Sequence, residues 1–376
     1  MASAVVMSEI HLLLPPKEKF CAEGAGAFAL NVAQSTRYSR WRDAITVFGT
    51  PVSAPFAGIA FQPIRPARPW LQGRNIGLAE RYAACVRGKP PCLIETFNRP
   101  AMALRIAQRL PDVPVTVYLG NDPRTMRGAM SAGERISLAE RCARVYVVSD
   151  FIRRCYMEGL PATLESKIEI AHTGAILPLR PAPKEKRIVF VGRMLPVKGV
   201  LELAQALARV LPRHPGWRAD LIGAQHFGAS RRLSSYERGV RAAVQSCDRI
   251  DVHGFLPNDL VMTHLRRASI AVVPSVWDDP FPRTAVEALS QGCALVCSDR
   301  GGLPEIGRER AVMLSEITAD TLAAALDRLI GDEAFRLALQ TRARAEFPFD
   351  IETTTRRLDD LRAAIVAPSR EMLPAA

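Results

Sequence analysis

The stretch "PSVWDDPFPRTAVEALSQG", Pro274 to Gly292, decides how this chain is built. It lies between two apolar runs, "IAVV" and "ALVC", each the length of one buried strand. Between them the pattern changes from a polar turn around Asp279 to a helical period over Thr284–Ser290. Strand, helix and strand in that order make a βαβ crossover, which requires a parallel sheet. Two acids, Asp279 and Glu287, flank the helix start, and Glu287 sits among Ala285, Val286, Ala288 and Leu289, where an acid needs a polar partner.

The same alternation runs through the whole chain. Expected strands in the first half are Ile10–Leu14, Ala44–Phe48, Gly58–Phe61, Cys92–Glu95, Val115–Leu119 and Val145–Val148, with helices over Pro100–Leu110 and Ser131–Cys142. The second half gives strands at Arg187–Val191, Ala219–Ile222, Ile250–Val252, Ile270–Val273 and Ala294–Cys297. Helices are expected there at Val200–Val210, Ser234–Gln245, Asp259–Arg267 and Thr321–Leu329. Between the halves, the prolines and charges of "LRPAPKEK", Leu179 to Lys186, read as a linker. The expected organisation is an α/β chain of two doubly wound, Rossmann-like domains, residues 1–180 and 181–350, with a helix and tail over 351–376 packing back on the first. Such a pair is expected to face a central cleft lined by the carboxyl ends of its strands, where open α/β sheets bind ligands.

Composition agrees with a folded enzyme-sized chain: 376 residues, 48% hydrophobic and 23% charged, too long for one core. The eight cysteines are scattered, and Cys293 and Cys297 fall in an apolar run, so reduced core thiols are expected, in a cytoplasmic protein. The amino terminus lacks the basic start of a signal peptide, and no uninterrupted apolar stretch is long enough to span a bilayer. Net charge is +12, carried mostly by residues 1–180, where 23 Lys and Arg face 14 Asp and Glu. A basic half suggests an anionic partner such as a membrane surface. No basic-aromatic interleaving or recognition motif points to nucleic acid.

Two loops carry the chemistry. "VFVGRMLPVKGV" sets Gly192, Arg193, Lys198 and Gly199 between a strand and a helix start, a suitable layout for phosphate, though neither a Walker loop nor a G-x-G-x-x-G fingerprint. In the opening stretch, backbone amides at Phe281, Arg283 and Thr284 and the Arg283 side chain would face an anion. Glu287 would accept from a diol such as a ribose, and Asp279 from hydroxyls at the other end of the same ligand. That spacing suits a polyhydroxylated diphosphate.

With these residues in view, the chain resembles the retaining, GT-B-fold glycosyltransferases of family 4, glycosyltransferase group 1. The family's E-x7-E motif stands here as Asp279-x7-Glu287, followed by "EALSQGCALVCSDRGGLPE". "VGRMLPVKGVLELAQAL", "HPGWRADLIG" and "VHGFLPNDLVMTHLRRASIAVVPS" precede it in the same order and spacing, so the resemblance is strong over residues 187–305. It implies that Arg193 and Lys198 bind the donor diphosphate, that Asp279 holds the donor sugar, and that these three are the catalytic set. Gly192, Phe281, Pro282, Arg283, Thr284 and Glu287 would complete the donor site, with Gly254, Phe255 and Leu256 near the base and Gly24 and Gly26 near the phosphates. Asn98, Asn121, Asp122, Arg124 and His172 would meet the acceptor. The chain departs from the family in its first acid, in Pro282 where Gly is frequent, and in Gly120-Asn121-Asp122 where many members place a His.

His11, His172, His214, His226, His253 and His264 show no paired metal-ligand spacing, and surface or satisfied core positions are expected for them. With no D-x-D anywhere, cations and helix dipoles would have to neutralise a diphosphate, and neither metal nor cofactor is expected. The resemblance therefore implies sugar transfer from a nucleoside diphosphate sugar to a saccharide or lipid-linked acceptor, in polysaccharide, lipopolysaccharide or glycolipid synthesis on the inner membrane face. The alternatives on the same fold are a sugar-nucleotide epimerase and a non-catalytic sugar-nucleotide-binding partner.

Overall fold

The computed structural model describes residues 9–225 and 233–366. His226 lies outside the described residues. Packing divides the chain into two units, one formed by residues up to Gly174 together with those from Ile351, the other by Ala175–Asp350.

In the first unit the elements are β1 (Ile10–Leu13), α1 (Ala27–Tyr38), β2 (Ile45–Gly49), β3 (Ala60–Pro63), α2 (Pro69–Val86), β4 (Leu93–Phe97), α3 (Pro100–Arg109), β5 (Val115–Leu119), α4 (Ala132–Arg141), β6 (Arg144–Val147), α5 (Asp150–Met157) and β7 (Ile168–Ile170). Its parallel strands run in the order β3-β2-β1-β4-β5-β6-β7. Every residue of β1, β4 and β5 is buried, which is why they read as apolar runs without alternation. His11 on β1 is a satisfied core histidine: its Nδ1 lies 2.8 Å from the Tyr82 hydroxyl, and burial pushes its pKa down.

The second unit holds β8 (Glu185–Val191), α6 (Val200–Val210), β9 (Arg218–Ile222), α7 (Ser235–Val244), β10 (Ile250–Gly254), α8 (Asn258–Arg267), β11 (Ala268–Val273), α9 (Arg283–Ser290), β12 (Ala294–Ser298), α10 (Leu303–Gly307), β13 (Ala311–Leu314), α11 (Ala319–Gly331) and α12 (Glu333–Ala345). Its parallel order is β10-β9-β8-β11-β12-β13. Leu203, Leu207 and Val210 repeat at helical spacing along α6 and enter a core with Leu221, Ile270, Val296 and Leu326. Cys293 and Cys297 stand unpaired and fully buried there, and burial pushes the Cys297 thiol up to about 12. Both sheets wind outward in both directions from their first strand, the Rossmann arrangement.

The expected linker is corrected. The units divide after Gly174, and the second has already begun before Leu179, because the Ala175 amide donates to the Phe349 carbonyl at 2.9 Å. Lys184 does not project into solvent as a linker lysine would. Its Nζ donates to the Leu265 and Arg266 carbonyls at 3.3 and 3.1 Å, satisfying the carboxyl end of α8. Among the described residues no helix is long and apolar enough to cross a membrane.

The last helix, α13 (Ile351–Val366), returns to the first unit through a buried charge network. Arg362, 1% exposed, donates to Glu95 on β4 at 3.0 and 2.8 Å and to Asp359 at 2.9 Å. Asp359 in turn accepts from the Ser39 hydroxyl at 2.7 Å and the Arg40 amide at 2.8 Å. Removing one partner from such a network strands a buried charge, at a cost of about 3–5 kcal/mol. Arg362→Ala is therefore expected to lower stability by that amount in urea denaturation. A loss below about 1 kcal/mol would mean the network is not what seats α13.

Candidate functional site

In the second unit the strand order reverses between β8 and β11, so the loops that leave their carboxyl ends diverge and open a gap. The two loops singled out in the sequence are these two. After β8 come Gly192 and Arg193, then a tight turn through Lys198 and Gly199 into α6. After β11 come Ser275, Trp277 and Asp279, then Pro282 as the residue before α9, which starts without a side-chain cap.

Two glycines bring the loops together. Gly199 has φ +64°, and a Cβ there would lie 1.9 Å from the Pro274 carbonyl oxygen. Gly301 has φ +59°, and a Cβ there would lie 2.3 Å from the Asp279 carbonyl oxygen, while the next amide, Gly302, donates to that oxygen at 2.8 Å. No other residue fits either position without moving the backbone.

The result is two pairs of opposite charge. The Lys198 ammonium donates to Asp279, which is 5% exposed and also accepts from the Ser275 hydroxyl at 3.2 Å. The same ammonium lies 5.4 Å from the centre of the Trp277 ring. One helical turn into α9, Glu287 is 5% exposed and accepts from Arg283 at 2.8 Å. The acid embedded in an apolar helix thus has its partner four residues back. Arg193 reaches out to the Gln225 carbonyl at 3.3 and 3.1 Å. Phe281 is buried and packs edge-on against Phe349 at 5.2 Å, which fixes the turn carrying Pro282 and Thr284.

Beside this charged strip, at the carboxyl ends of β9 and β10, lies a cavity of about 270 Å3. Met194, Gly223, Val240, Val252, Gly254 and Phe255 line it, so two of the three residues expected near a base do so, and Leu256 is not among them. His253 also lines it and lies 2.7 Å from Asp220, a carboxylate with no exposed surface. Burial opposes charge on Asp220, but Arg187 and His253 together hold its carboxyl below the usual range.

The first unit places its candidates less uniformly. Asn98, after β4, takes a left-handed backbone with φ +54°, and its side-chain oxygen accepts from the Gly120 amide at 3.2 Å. A Cβ at Gly120 would meet the end of the Phe28 ring at 2.6 Å, so a side chain there would require that ring to move. Asn121 beside it is exposed and His172 half-buried. Asp122 caps a turn and is gripped by Arg124, which also donates to Glu158 at 2.5 Å and to Cys155 Sγ at 3.4 Å, so these two candidates hold their own loop together. Gly24 has φ +82°, and Gly26 precedes α1, where the Ala29 amide donates to Glu18 at 3.2 Å. The first turn of α1, expected near phosphate, thus already faces a carboxylate whose pKa burial pushes up.

Known proteins resemble this chain most clearly over the second unit. Residues 178–346 match the family described as glycosyl transferases group 1. That match lies within the second unit. Across the chain, a putative glycosyltransferase of Bacillus subtilis, YtcC, is 23% identical over 321 residues, 78% of each protein. A lipopolysaccharide 1,2-N-acetylglucosaminetransferase of Salmonella typhimurium is 22% identical over 239 residues, 59% of this chain and 62% of that enzyme. Among solved structures, Anabaena HepE in complex with UDP-glucose superposes with a TM-score of 0.73 at 17% identity, covering 94% of this chain and 99% of that one. The fold is therefore GT-B, with two parallel-sheet, Rossmann-like units. The matched region holds Arg193, Lys198, Asp279 and Glu287.

The two loop glycines allow a direct check of this geometry. Gly199→Ala and Gly301→Ala each combine left-handed strain with a clash against backbone, a cost of about 1–3 kcal/mol. Thermal scanning is expected to show each variant melting several degrees below the wild type, by roughly 2–4 °C per kcal/mol. Unchanged melting would show that the loops do not need this close approach.

Proposed function

We propose that the protein is a retaining glycosyltransferase that moves a sugar from a nucleoside diphosphate sugar to a saccharide or lipid-linked acceptor, in surface polysaccharide, lipopolysaccharide or glycolipid synthesis. The observation that carries this reading is the line of groups along the carboxyl edge of the second sheet: a cavity sized for a base, then Arg193, then the Lys198–Asp279 and Arg283–Glu287 pairs. The complex of HepE with UDP-glucose and the Salmonella N-acetylglucosaminetransferase support the donor class and the pathway.

In this reading the base enters the cavity beside Gly254 and Phe255, and Glu287 accepts from the ribose hydroxyls. Arg193, Lys198 and the amides that open α9 face the diphosphate. Asp279 exchanges its Lys198 contact for hydroxyls of the donor sugar. The bond between the anomeric carbon and the diphosphate breaks as the acceptor oxygen bonds to the same face of that carbon, and the acceptor proton passes to the departing diphosphate oxygen. The protein's share is positioning and electrostatic stabilisation of the leaving group, which needs no metal in this scheme. Asn98, Asn121 and His172 lie at strand ends of the first unit suited to the acceptor.

Attachment to a membrane from the cytoplasmic face fits the same acceptors. At the start of α2, Trp70 and Leu71 are 84% and 73% exposed, and Arg65, Arg68 and Arg74 surround them in sequence and are exposed as well. An aromatic and an aliphatic side chain ringed by cations suit an anionic lipid interface.

Two experiments test the proposal. Transfer from a panel of labelled nucleotide sugars to membrane extract identifies the donor. In that assay Lys198→Ala is expected to lower turnover by about tenfold to a hundredfold, the worth of a charge-assisted hydrogen bond, and by more than it lowers donor affinity. Glu287→Gln is expected to weaken nucleoside diphosphate binding by calorimetry. Wild-type behaviour of both variants contradicts the assignment. For the membrane, flotation with anionic vesicles is expected to retain the wild type and lose a Trp70→Ser, Leu71→Ser double variant; equal flotation of both contradicts the docking surface.

A further inference from the structure

Asp220 lies in the middle of β9 with no exposed surface, an expensive place for a carboxylate. Arg187 on β8 answers the charge, donating to Oδ1 and Oδ2 at 2.9 and 2.8 Å. Both contacts come from Nη1, and that one shared nitrogen already pairs the charge. Yet two histidines from two further elements also converge on the same carboxylate. His253 on β10 places Nε2 2.7 Å from Oδ1, and His264 on α8 places Nδ1 3.4 Å from Oδ2. Their rings meet edge-on with centroids 4.8 Å apart. One ligand atom from each of the three residues lies within 4.8 Å of the others.

A hydrogen-bonded cluster does not explain this arrangement well. Neither histidine is needed to neutralise Asp220, and 3.4 Å is at the long edge of a hydrogen bond. Two imidazole nitrogens and one carboxylate oxygen are, however, the donor set of a borderline divalent cation such as Zn2+. A metal bonded at about 2.0–2.2 Å to each requires ligand atoms roughly 3.3–3.5 Å apart, which small side-chain rotations reach from the present separations. Each carboxylate oxygen carries a second lone pair, so Asp220 can keep Arg187 behind it as an outer-sphere donor. Arg187 also shares its charge with Glu185 at 3.3 Å, which lessens its repulsion of a cation. The imidazole side chains are 28% and 24% exposed, which leaves an entry path and open positions for water.

We propose that Asp220, His253 and His264 form a binding site for a Zn2+-class divalent cation. It is a site apart from the diphosphate chemistry proposed above and does not depend on that reading. The bound cation would tie β9, β10 and α8 together next to the cavity that His253 lines. Because two of three donors are nitrogen, the site selects Zn2+ or Co2+ over Mg2+ and Ca2+, which prefer oxygen.

The test is titration of the chelator-stripped full chain with Co2+. One equivalent is expected to give visible d–d absorption without the ultraviolet band of a cobalt–thiolate bond. His264→Gln and His253→Gln, both at partly exposed positions and checked for folding by their melting without metal, should each weaken Co2+ binding by about tenfold or more. Zn2+, but not Mg2+, should raise the melting temperature of the wild type and leave the double variant unchanged. No saturable signal, a thiolate band, or equal Co2+ affinity in the double variant overturns the site.

Discussion

In a parallel sheet wound outward from its first strand, the loops at the reversal leave their strands toward helices on opposite faces. Between β8 and β11 that constraint leaves an opening lined by backbone, and the rest of the second unit works to hold its two rims in register. Gly199 lets one rim press on Pro274, Gly301 lets a third loop press on Asp279, and Phe281 anchors the far side against Phe349. The rims are thereby fixed closely enough for Lys198 and Asp279 to meet.

In the proposed function the charges at this opening are exchanged with a ligand and do not serve the fold alone. Asp279 and Glu287 are each 5% exposed, and each is satisfied by a cation of the same site. A ligand carrying a diphosphate and hydroxyls offers partners to both halves of each pair, so it can enter without stranding a buried charge. A ligand offering only one kind of group cannot. In the proposed reading this favours nucleoside diphosphate sugars over sugars or phosphates alone, and it keeps the cations preoriented toward the leaving group. The contrast with Arg362 is instructive: its network with Glu95 and Asp359 is equally buried but has no solvent-facing edge, and it serves only to seat α13.

Elements were legible in the sequence where a strand is a fully buried apolar run, as in β5, β11 and β12, or a helix is amphipathic, as in α6, so that period and length identify them. Val200–Val210 and Val115–Leu119 were bounded to the residue. The two loops after β8 and β11 were visible for the same reason, since glycine and cations at a strand end are local features. Features made by distant partners were not visible. Lys184 looked like a linker residue because its acceptors, the Leu265 and Arg266 carbonyls, are some eighty residues away. His253 and His264 looked unpaired because the carboxylate joining them is on another strand. The contact of Gly120 with Phe28 on α1, ninety-two positions away, was invisible for the same reason. The mutual grip of Asp122 and Arg124 could have been suspected from their spacing, which suits a capped turn.

The central claim is that the reversal point of the second sheet binds the diphosphate of a nucleotide donor. The most direct measurement is a crystal structure of the full chain with a nucleoside diphosphate. The account predicts the diphosphate between the carboxyl end of β8 and the first turn of α9, with Lys198 turned from Asp279 onto a phosphate oxygen and the base beside Gly254 and Phe255. A nucleotide bound elsewhere, with the Lys198–Asp279 pair intact, would contradict it.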